Sequence, residues 1–224
     1  MSKKTFQILS LLLSVLSLLY LILNYFGLIR YVILHRSKTE DYISRYPSLP
    51  KADKNRVVVC FTISDIKEFD TIKPFINSIL DQTVKVDDIA VTLSYKDIDK
   101  IPQQYKKIIS GYGYNQDYDN AGNLIFSILR EPESDTKIIM VDPHVVYGED
   151  FIETILQSSE KNNDKIIYAD KNKNIKYGVL IKPTFFDEKI CQYEKGKGCL
   201  NWLTDCCNTD SMSINYITNY KSFN

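Results

Sequence analysis

The sequence is poor in histidine and carries no excess charge of either sign. Its 224 residues include two histidines, and 28 Lys and Arg residues balance 28 Asp and Glu residues, so the formal net charge is zero. A chain without a net positive field has no long-range attraction for polynucleotides. The composition therefore predicts that nucleic acid is not a partner.

Standard zinc-binding patterns are also missing, although the chain has five cysteines. Such patterns need paired Cys-x-x-Cys units or histidines close to the cysteines. Cys60 lies inside an apolar run and is expected to be a small buried residue. The other cysteines lie near the C-terminus: Cys191, Cys199, Cys206 and Cys207. We expect one disulfide, involving Cys191 and Cys199, if the domain lies in an oxidising compartment, and free thiols if it is cytosolic.

Charged residues are absent from residues 5–29, where Leu, Ile, Val, Phe and Tyr dominate. At about 1.5 Å per residue, a helix of this length exceeds the roughly 30 Å hydrocarbon core of a bilayer. A signal peptide would end in a small-residue cleavage site, whereas this run leads through Gly27 into Arg30. Residues 1–30 are therefore predicted to be an uncleaved membrane anchor, and a buried core helix is the alternative.

Positively charged residues flank both ends of this anchor almost equally. Lys3 and Lys4 precede it, and Arg30, Arg36 and Lys38 follow it. The positive-inside rule therefore does not fix the orientation by itself. We expect a single-pass type II protein whose domain lies in the lumen of the secretory pathway.

Residues 31–55 differ in composition from the anchor before them. They are rich in Arg, Ser, Lys, Asp and Tyr, with prolines at Pro47 and Pro50. This composition is typical of a polar stem that holds a folded domain away from a membrane. The folded domain is accordingly expected to occupy residues 56–224.

Strand and helix patterns alternate from Arg56 onward. Short runs of apolar residues predict buried strands at residues 57–62, 89–93 and 138–141. Apolar residues at helical spacing predict helices at residues 72–80, after Pro102 near residues 105–109, at residues 124–129 and at residues 151–156. This order favours an α/β fold with right-handed crossovers and a mostly parallel sheet flanked by helices.

Polar residues follow the third predicted strand directly, in the order Asp142, Pro143 and His144. Ligands of parallel α/β sheets bind just beyond the carboxyl ends of the strands, so Asp142 and His144 are candidates for a cleft. A carboxylate and an imidazole suit a divalent metal beside a phosphorylated ligand. The alternative is a turn in which Asp142 accepts hydrogen bonds from backbone N–H groups and His144 is a partly exposed polar residue.

Four stretches stand in a characteristic order along the chain. They are VVVCFTIS at residues 57–64, ILDQT at 79–83 followed by DIAVTL at 88–93, YDNAGNL at 118–124, and VDPHVVY at 141–147. Together they resemble nucleotide-sugar glycosyltransferases of the GT-A fold, near family 2 and its viral relatives. The resemblance covers roughly residues 56–182 and implies a GT-A-like domain.

The resemblance implies a metal site and a nucleotide site. Asp142 and His144 stand where the family has its Asp-x-Asp motif, which holds the Mn²⁺ or Mg²⁺ that neutralises charge on the leaving diphosphate of the donor. His144 departs from the second Asp, and imidazole suits Mn²⁺ better than Mg²⁺. The positions that correspond to contacts with a UDP-sugar are Thr62, Ser64, Asp65, Asp119 and Asn123. The alternative, which the residues favour, is that Asp65 is a helix cap or loop residue. The family often has Lys or Arg at the place of Asn123.

The resemblance also implies a general base after the metal motif, because an inverting enzyme must take a proton from the acceptor hydroxyl. Asp210 is the candidate, with Asp205 as second choice. The alternative is that Thr209 or Asp210 caps a helix through Ile214, Ile217 and Tyr220. Trp202 is a candidate for stacking against an acceptor sugar.

These features predict a membrane-anchored transferase that moves a sugar from a nucleotide-diphosphate donor to an acceptor of unknown type, a glycan, protein or lipid, with a divalent metal. The competing prediction is a catalytically degenerate member of the fold that binds a nucleotide or a protein partner. The missing second Asp, the missing basic residue and the short domain favour this alternative.

Overall fold

A single sheet organises the protein in the computed structural model, which describes residues 3–114, 122–131, 133–186, 209–214 and 216. The described strands are β1 (Val57–Thr62), β2 (Asp88–Ser94), β3 (Ser110–Tyr114), β4 (Lys137–Met140), β5 (Ile166–Tyr168), β6 (Val179–Ile181) and β7 (Ser211–Ser213). Their order in the sheet is β3-β2-β1-β4-β6-β5-β7. Only β6 runs antiparallel to its neighbours, β4 and β5. The predicted α/β class with a mostly parallel sheet is therefore confirmed.

Helices cover the sheet and precede it. The described α-helices are α1 (Lys3–Tyr25), α2 (Leu28–Arg36), α3 (Thr39–Arg45), α4 (Lys73–Leu80), α5 (Gly122–Arg130) and α6 (Phe151–Lys161). Short 3-10 helices occupy Tyr46–Ser48, Ile66–Asp70, Tyr95–Lys100, Ile175–Tyr177 and Pro183–Phe185. The predicted helices near residues 72–80, 124–129 and 151–156 correspond to α4, α5 and α6.

The central strand β1 is apolar at consecutive positions because both of its faces are buried. Its side chains Val57, Val59 and Phe61 pack in the cluster that contains α4 and α6. Val58 and Cys60 pack on the opposite face, in the cluster that contains Ile125 and Ile128 of α5. A strand buried on both faces needs apolar residues at every position. Cys60 is fully buried with a free thiol, as expected from the sequence.

The segment expected to be a polar stem contains helices that pack on the domain. Leu34 and Tyr42 are buried in the main core cluster together with α4. The side chain of Asn77, on α4, donates a hydrogen bond of 2.8 Å to the carbonyl of Leu34. The polar composition reflects the exposed faces of α2 and α3, while a few apolar residues on the other faces fix them to the domain. Folded structure thus begins before Arg56.

The helix α1 is long and apolar enough to cross a membrane, and none of its residues is buried in the protein. The alternative of a buried core helix does not apply, because a core helix is enclosed by the chain that it stabilises. Apolar side chains along its whole length are exposed, including Leu11, Leu13 and Leu21.

Other predicted elements differ from the structure. A helix was expected near residues 105–109, but hydrogen-bonded turns occupy this segment, for example from the N–H of Ile108 to the carbonyl of Tyr105. The helix expected from Thr209 or Asp210 is wrong, because β7 begins at Ser211. Strands β3, β5, β6 and β7 carry glycines or span only three to five residues, so their patterns are too short or too irregular to indicate strands.

Candidate functional site

The candidate site lies at the carboxyl edge of the sheet, where β1 and β4 run parallel and end side by side. Asp142 follows β4, is partly buried, and begins a turn. Its Oδ1 accepts a hydrogen bond of 2.7 Å from the N–H of His144, and its carbonyl accepts one of 3.1 Å from Val145. Pro143 suits the turn because its ring fixes φ and it has no N–H to satisfy. The turn interpretation of Asp142 is therefore correct for Oδ1, and among the described residues Oδ2 has no hydrogen-bond partner.

The side chain of His144 is exposed and faces a glutamate that the sequence did not single out. Its Nε2 lies 3.5 Å from Oε2 of Glu68. Glu68 is also part of a capping box, because its Oε1 accepts hydrogen bonds from the N–H groups of Ser64 at 2.8 Å and Asp65 at 3.0 Å. The pattern Asp65-x-x-Glu68 is a capping-box spacing and could have revealed this role.

Asp65 forms the reciprocal half of that capping box. Its Oδ1 accepts a hydrogen bond of 2.9 Å from the N–H of Lys67, at the start of the 3-10 helix Ile66–Asp70. This is the cap that the sequence offered as the alternative to a nucleotide contact. Ser64 and Asp65 are exposed at the same edge, so they can meet a ligand only in addition to this structural role.

Thr62 is the last residue of β1, and its hydroxyl group is shielded from solvent. Its Oγ1 is buried and has no hydrogen-bond partner within the described part of the chain. Thr62 is paired in register with Thr92 of β2, which is also buried. A buried polar atom without a partner costs roughly 1–3 kcal/mol. Asn77 Oδ1 and Ser127 Oγ are in the same situation away from this edge, so the lack of a partner does not by itself mark a binding site.

A buried tyrosine supports the turn after β4. The hydroxyl of Tyr147 accepts a hydrogen bond of 3.0 Å from the N–H of Asp142 and donates one of 3.1 Å to the carbonyl of Lys176. Burial raises the pKa of Tyr147 far above its usual range, so the hydroxyl keeps its proton for this donation. Tyr147 thereby connects the turn that holds Asp142 to the turn before β6.

The structure does not bring Asp210 to this edge. Asp210 precedes β7, and its carbonyl accepts a hydrogen bond of 3.0 Å from the N–H of Ile166, the first residue of β5. Because β5 and β7 run in the same direction as β4, their first residues lie at the amino edge of the sheet. A cleft of 410 Å³ opens there beside Asp135, Asp164 and Thr209. Asp210 and Asp142 are therefore on opposite edges.

Several predicted positions lie outside the described residues. They are Asp119, Asp205, Trp202 and the cysteines Cys191, Cys199, Cys206 and Cys207. Asn123 lies within α5, and its side chain is not described.

The side chains at this edge can meet the requirements of a metal only in part. Within residues 3–114, 122–131, 133–186, 209–214 and 216, no group of three or more His, Cys, Asp and Glu side chains is arranged to hold a metal. Oδ2 of Asp142 and the imidazole of His144 offer a hard oxygen and a nitrogen, a set that Mn²⁺ accepts. Mg²⁺ in phosphate-transfer sites is commonly bound by only one or two carboxylates, with phosphate oxygens and water filling the remaining positions. By chemical type alone, these two donors suit a metal that arrives with a diphosphate.

Solved structures of transferases resemble this backbone. A 4-diphosphocytidyl-2C-methyl-D-erythritol synthase matches with a TM-score of 0.55 and 9% sequence identity, over 77% of this chain and 94% of that chain. The chain has a GT-A-like fold. The synthase from Anaerococcus prevotii DSM 20548 matches with a TM-score of 0.47 and 11% identity, over 75% of this chain and 93% of that chain.

A further similar structure is the glycosyltransferase GlyE of Streptococcus pneumoniae TIGR4. It has a TM-score of 0.48 and 13% identity, over 73% of this chain and 46% of that chain. No protein-family model and no curated protein matches the sequence. At identities this low the comparisons establish the shared fold alone.

Proposed function

We propose that the chain is a membrane-anchored glycosyltransferase, near family 2 and its viral relatives, that uses a UDP-sugar and a divalent metal. The observation that carries the proposal is the pair after β4: Asp142 with an uncommitted Oδ2, followed by the exposed His144. The GT-A-like fold supports it, since ligands of open α/β sheets bind at the carboxyl ends of the strands. The proposed orientation is type II, with the domain in the lumen.

The nucleotide would lie across the ends of β1 and β4. Thr62 would contact the base or the ribose through its Oγ1, which is buried without a partner and has to be uncovered by a local rearrangement before a ligand reaches it. Ser64 and Asp65 are exposed beside it, and Asp65 can accept a bond from a ribose hydroxyl through the oxygen that does not cap the helix.

The diphosphate would meet the metal held by Asp142 and His144. A bound Mn²⁺ supplies positive charge that stabilises the developing charge on the leaving phosphate. Glu68 beside Nε2 favours the tautomer with the proton on Nε2, so that Nδ1 of His144 is the nitrogen left for a metal. The turn through Pro143 holds the backbone between the two ligands in place.

A second candidate is a binding module that keeps the fold without transfer activity. One observation favours it: the carboxylates near His144 already have structural roles, since Oδ1 of Asp142 closes a turn and Glu68 caps a helix. In addition, Asp210 is at the amino edge, so the described residues contain no assigned base near Asp142. Under this proposal the chain binds a nucleotide or a protein partner and turns over no sugar.

Calorimetry on the full chain in detergent micelles tests the first proposal. UDP is titrated with and without Mn²⁺ into the wild type, Asp142→Asn and the control Asp164→Asn, whose exposed carboxylate lies at the opposite edge. We expect Mn²⁺-dependent binding that Asp142→Asn weakens by at least about tenfold, since a charged ligand contact contributes more than about 1.4 kcal/mol. Asp164→Asn should bind like the wild type.

The remaining outcomes separate the alternatives. UDP binding that is independent of Mn²⁺ and unchanged in Asp142→Asn favours the binding module. No binding of UDP under any of these conditions contradicts the transferase and the nucleotide-binding module, and leaves the module that binds a protein partner. UDP-sugar hydrolysis, measured as release of UDP with Mn²⁺ present, then distinguishes a transferase from a module among proteins that bind.

A further inference from the structure

The helix α2 has two distinct faces. Gly27, Arg30, Tyr31 and Leu34 follow the spacing of one helical face and lie toward the domain, with Leu34 only 1% exposed. The opposite face has the same spacing and consists of Ile29, Val32, Ile33 and Arg36. Val32 is 39% exposed and Ile33 is 55% exposed. A helix that is fixed along one side thus presents aliphatic side chains on the other.

The packed face of α2 is fixed by polar bonds as well as by burial. Nη1 of Arg30 donates to Oδ2 of Asp81 at 2.8 Å, and its Nε donates to the carbonyl of Tyr147 at 3.2 Å. At the other end of the helix, Nζ of Lys73 donates to the carbonyl of His35 at 3.1 Å. The exposed aliphatic face therefore cannot turn inward without breaking these contacts.

The exposed face of α2 lies on the same side as the apolar helix α1. Ile29 and Ile33 line a cleft of 560 Å³ together with Tyr20 and Asn24 of α1, and the domain forms the opposite wall of this cleft with residues that include Glu149 and Asp150. Only Phe26 and Gly27 separate the two helices, and Gly27 has a left-handed φ of 70° that redirects the chain between them. Phe26 is 51% exposed at this corner.

We infer that the Ile29–Val32–Ile33 face of α2 lies in the interface of a phospholipid bilayer, beside the end of a membrane-spanning α1. The apolar face continues directly from α1, so an α1 that spans the membrane would place this face beside the bilayer. Arg36 at the end of the stripe and Lys38 after it are exposed and suit lipid phosphates. Tyr20 and Tyr25 are of the residue type that concentrates at such interfaces.

This surface holds the domain directly against the membrane. Because α2 packs on α4, which follows β1, the candidate site keeps a fixed height above the lipid surface. The inference rests on the proposed membrane anchor and is independent of sugar transfer.

Tryptophan fluorescence in liposomes tests this surface. The sole tryptophan of the sequence is first removed by Trp202→Phe. Ile33→Trp then reports on the proposed face, and Leu129→Trp is the matched control, because Leu129 on α5 is 56% exposed against 55% for Ile33. Val32→Trp provides a second reporter on the proposed face. The full chain is reconstituted with phosphatidylcholine, with and without brominated acyl chains, and flotation verifies its association with the liposomes.

We expect the Ile33→Trp and Val32→Trp emission to be blue-shifted and to lose intensity in brominated lipid, while Leu129→Trp emission is unshifted and is quenched only by aqueous iodide. Quenching of all three reporters by iodide alone overturns the inference. A blue shift at Ile33→Trp without quenching by brominated lipid also overturns it, since it indicates that a second copy of the chain covers the face. Failure to float overturns both the surface and the anchor, while UDP binding in detergent still tests the proposed function.

Discussion

Nε2 of His144 lies 3.5 Å from Oε2 of Glu68, so a carboxylate that follows β1 meets an imidazole that follows β4. Metal-binding histidines usually donate their second N–H to a carboxylate or a carbonyl, which orients the ring and increases its basicity. Glu68 also closes the capping box around Asp65. One side chain thus connects the proposed nucleotide loop to the proposed metal loop.

Glu68→Gln should weaken Mn²⁺-dependent binding of UDP. The amide keeps an oxygen for the N–H groups of Ser64 and Asp65 but loses the negative charge beside His144. Loss of a supporting carboxylate costs about tenfold or more in metal-dependent affinity. Calorimetry with and without Mn²⁺ measures the effect. The control is Glu149→Gln, which changes an exposed glutamate outside this loop. Equal losses in the presence and absence of Mn²⁺ would contradict the assigned role.

Tyr147→Phe should destabilise the protein by roughly 1–3 kcal/mol, because it removes the hydrogen bonds that join the Tyr147 hydroxyl to the N–H of Asp142 and to the carbonyl of Lys176. Urea unfolding of the full chain in micelles, followed by near-ultraviolet circular dichroism, measures the change. Tyr95→Phe is a suitable comparison, since Tyr95 is 64% exposed. If both variants unfold at the same urea concentration as the wild type, the hydrogen bonds of the Tyr147 hydroxyl do not contribute to stability.

Gly113→Ala should cost more stability than Gly111→Ala. A Cβ at Gly113 would stand 2.7 Å from the backbone Cα of Tyr95, which can move only with its chain. A Cβ at Gly111 would meet Cδ1 of Ile101 at 2.5 Å, the far end of a flexible side chain. We expect a loss of about 1–3 kcal/mol for Gly113→Ala and a smaller loss for Gly111→Ala. The same unfolding assay compares them, and the reverse order would show that the 3-10 helix Tyr95–Lys100 adapts easily.

The buried carboxylate of Glu131 should make stability depend on acid. Burial alone would raise the pKa of Glu131, but hydrogen bonds from Arg56 at 2.7 Å and Arg130 at 2.9 Å outweigh it and hold the pKa below the ordinary value of 4.5. A carboxyl with a lowered folded-state pKa stabilises the protein above pH 4.5, and this contribution is lost as the pH falls through the folded-state pKa.

Glu131→Gln should therefore reduce stability by roughly 2 kcal/mol at pH 7, and the difference from wild type should shrink at pH values below the ordinary pKa. Thermal unfolding at a series of pH values measures this dependence. Glu133→Gln, at an exposed position nearby, should follow the wild-type curve. A pH-independent difference for Glu131→Gln would mean that the loss comes from packing rather than from charge.

The central elements were predictable because their burial is complete. In β1 every residue except the last is buried, so an unbroken apolar run identifies the strand. In contrast, the strand Ser110-Gly-Tyr-Gly-Tyr114 has glycines where Ile101 and the 3-10 helix Tyr95–Lys100 pack closely against it. That packing depends on a contact distant in sequence and leaves no periodic signal.

The sequence predicts only part of the candidate site. Asp142 and His144 are identifiable because they directly follow a recognisable strand. Glu68 was missed because its proximity to His144 depends on β1 and β4 being neighbours, which is a property of the sheet order. Asp210 was expected near Asp142 as a general base. The sequence does not indicate that β7 pairs in parallel with β5, an arrangement that puts Asp210, which precedes β7, at the amino edge of the sheet.

The reversal of β6 has a consequence for how this protein could diversify. Since β6 runs against β4, the turn Ile175–Gly178 enters the sheet at the edge where Asp142 leaves it. Insertions or substitutions in that turn would reshape the neighbourhood of Asp142 while the strands and their register stay intact. Laboratory evolution of new binding properties at this edge would therefore begin with Lys176 and Tyr177.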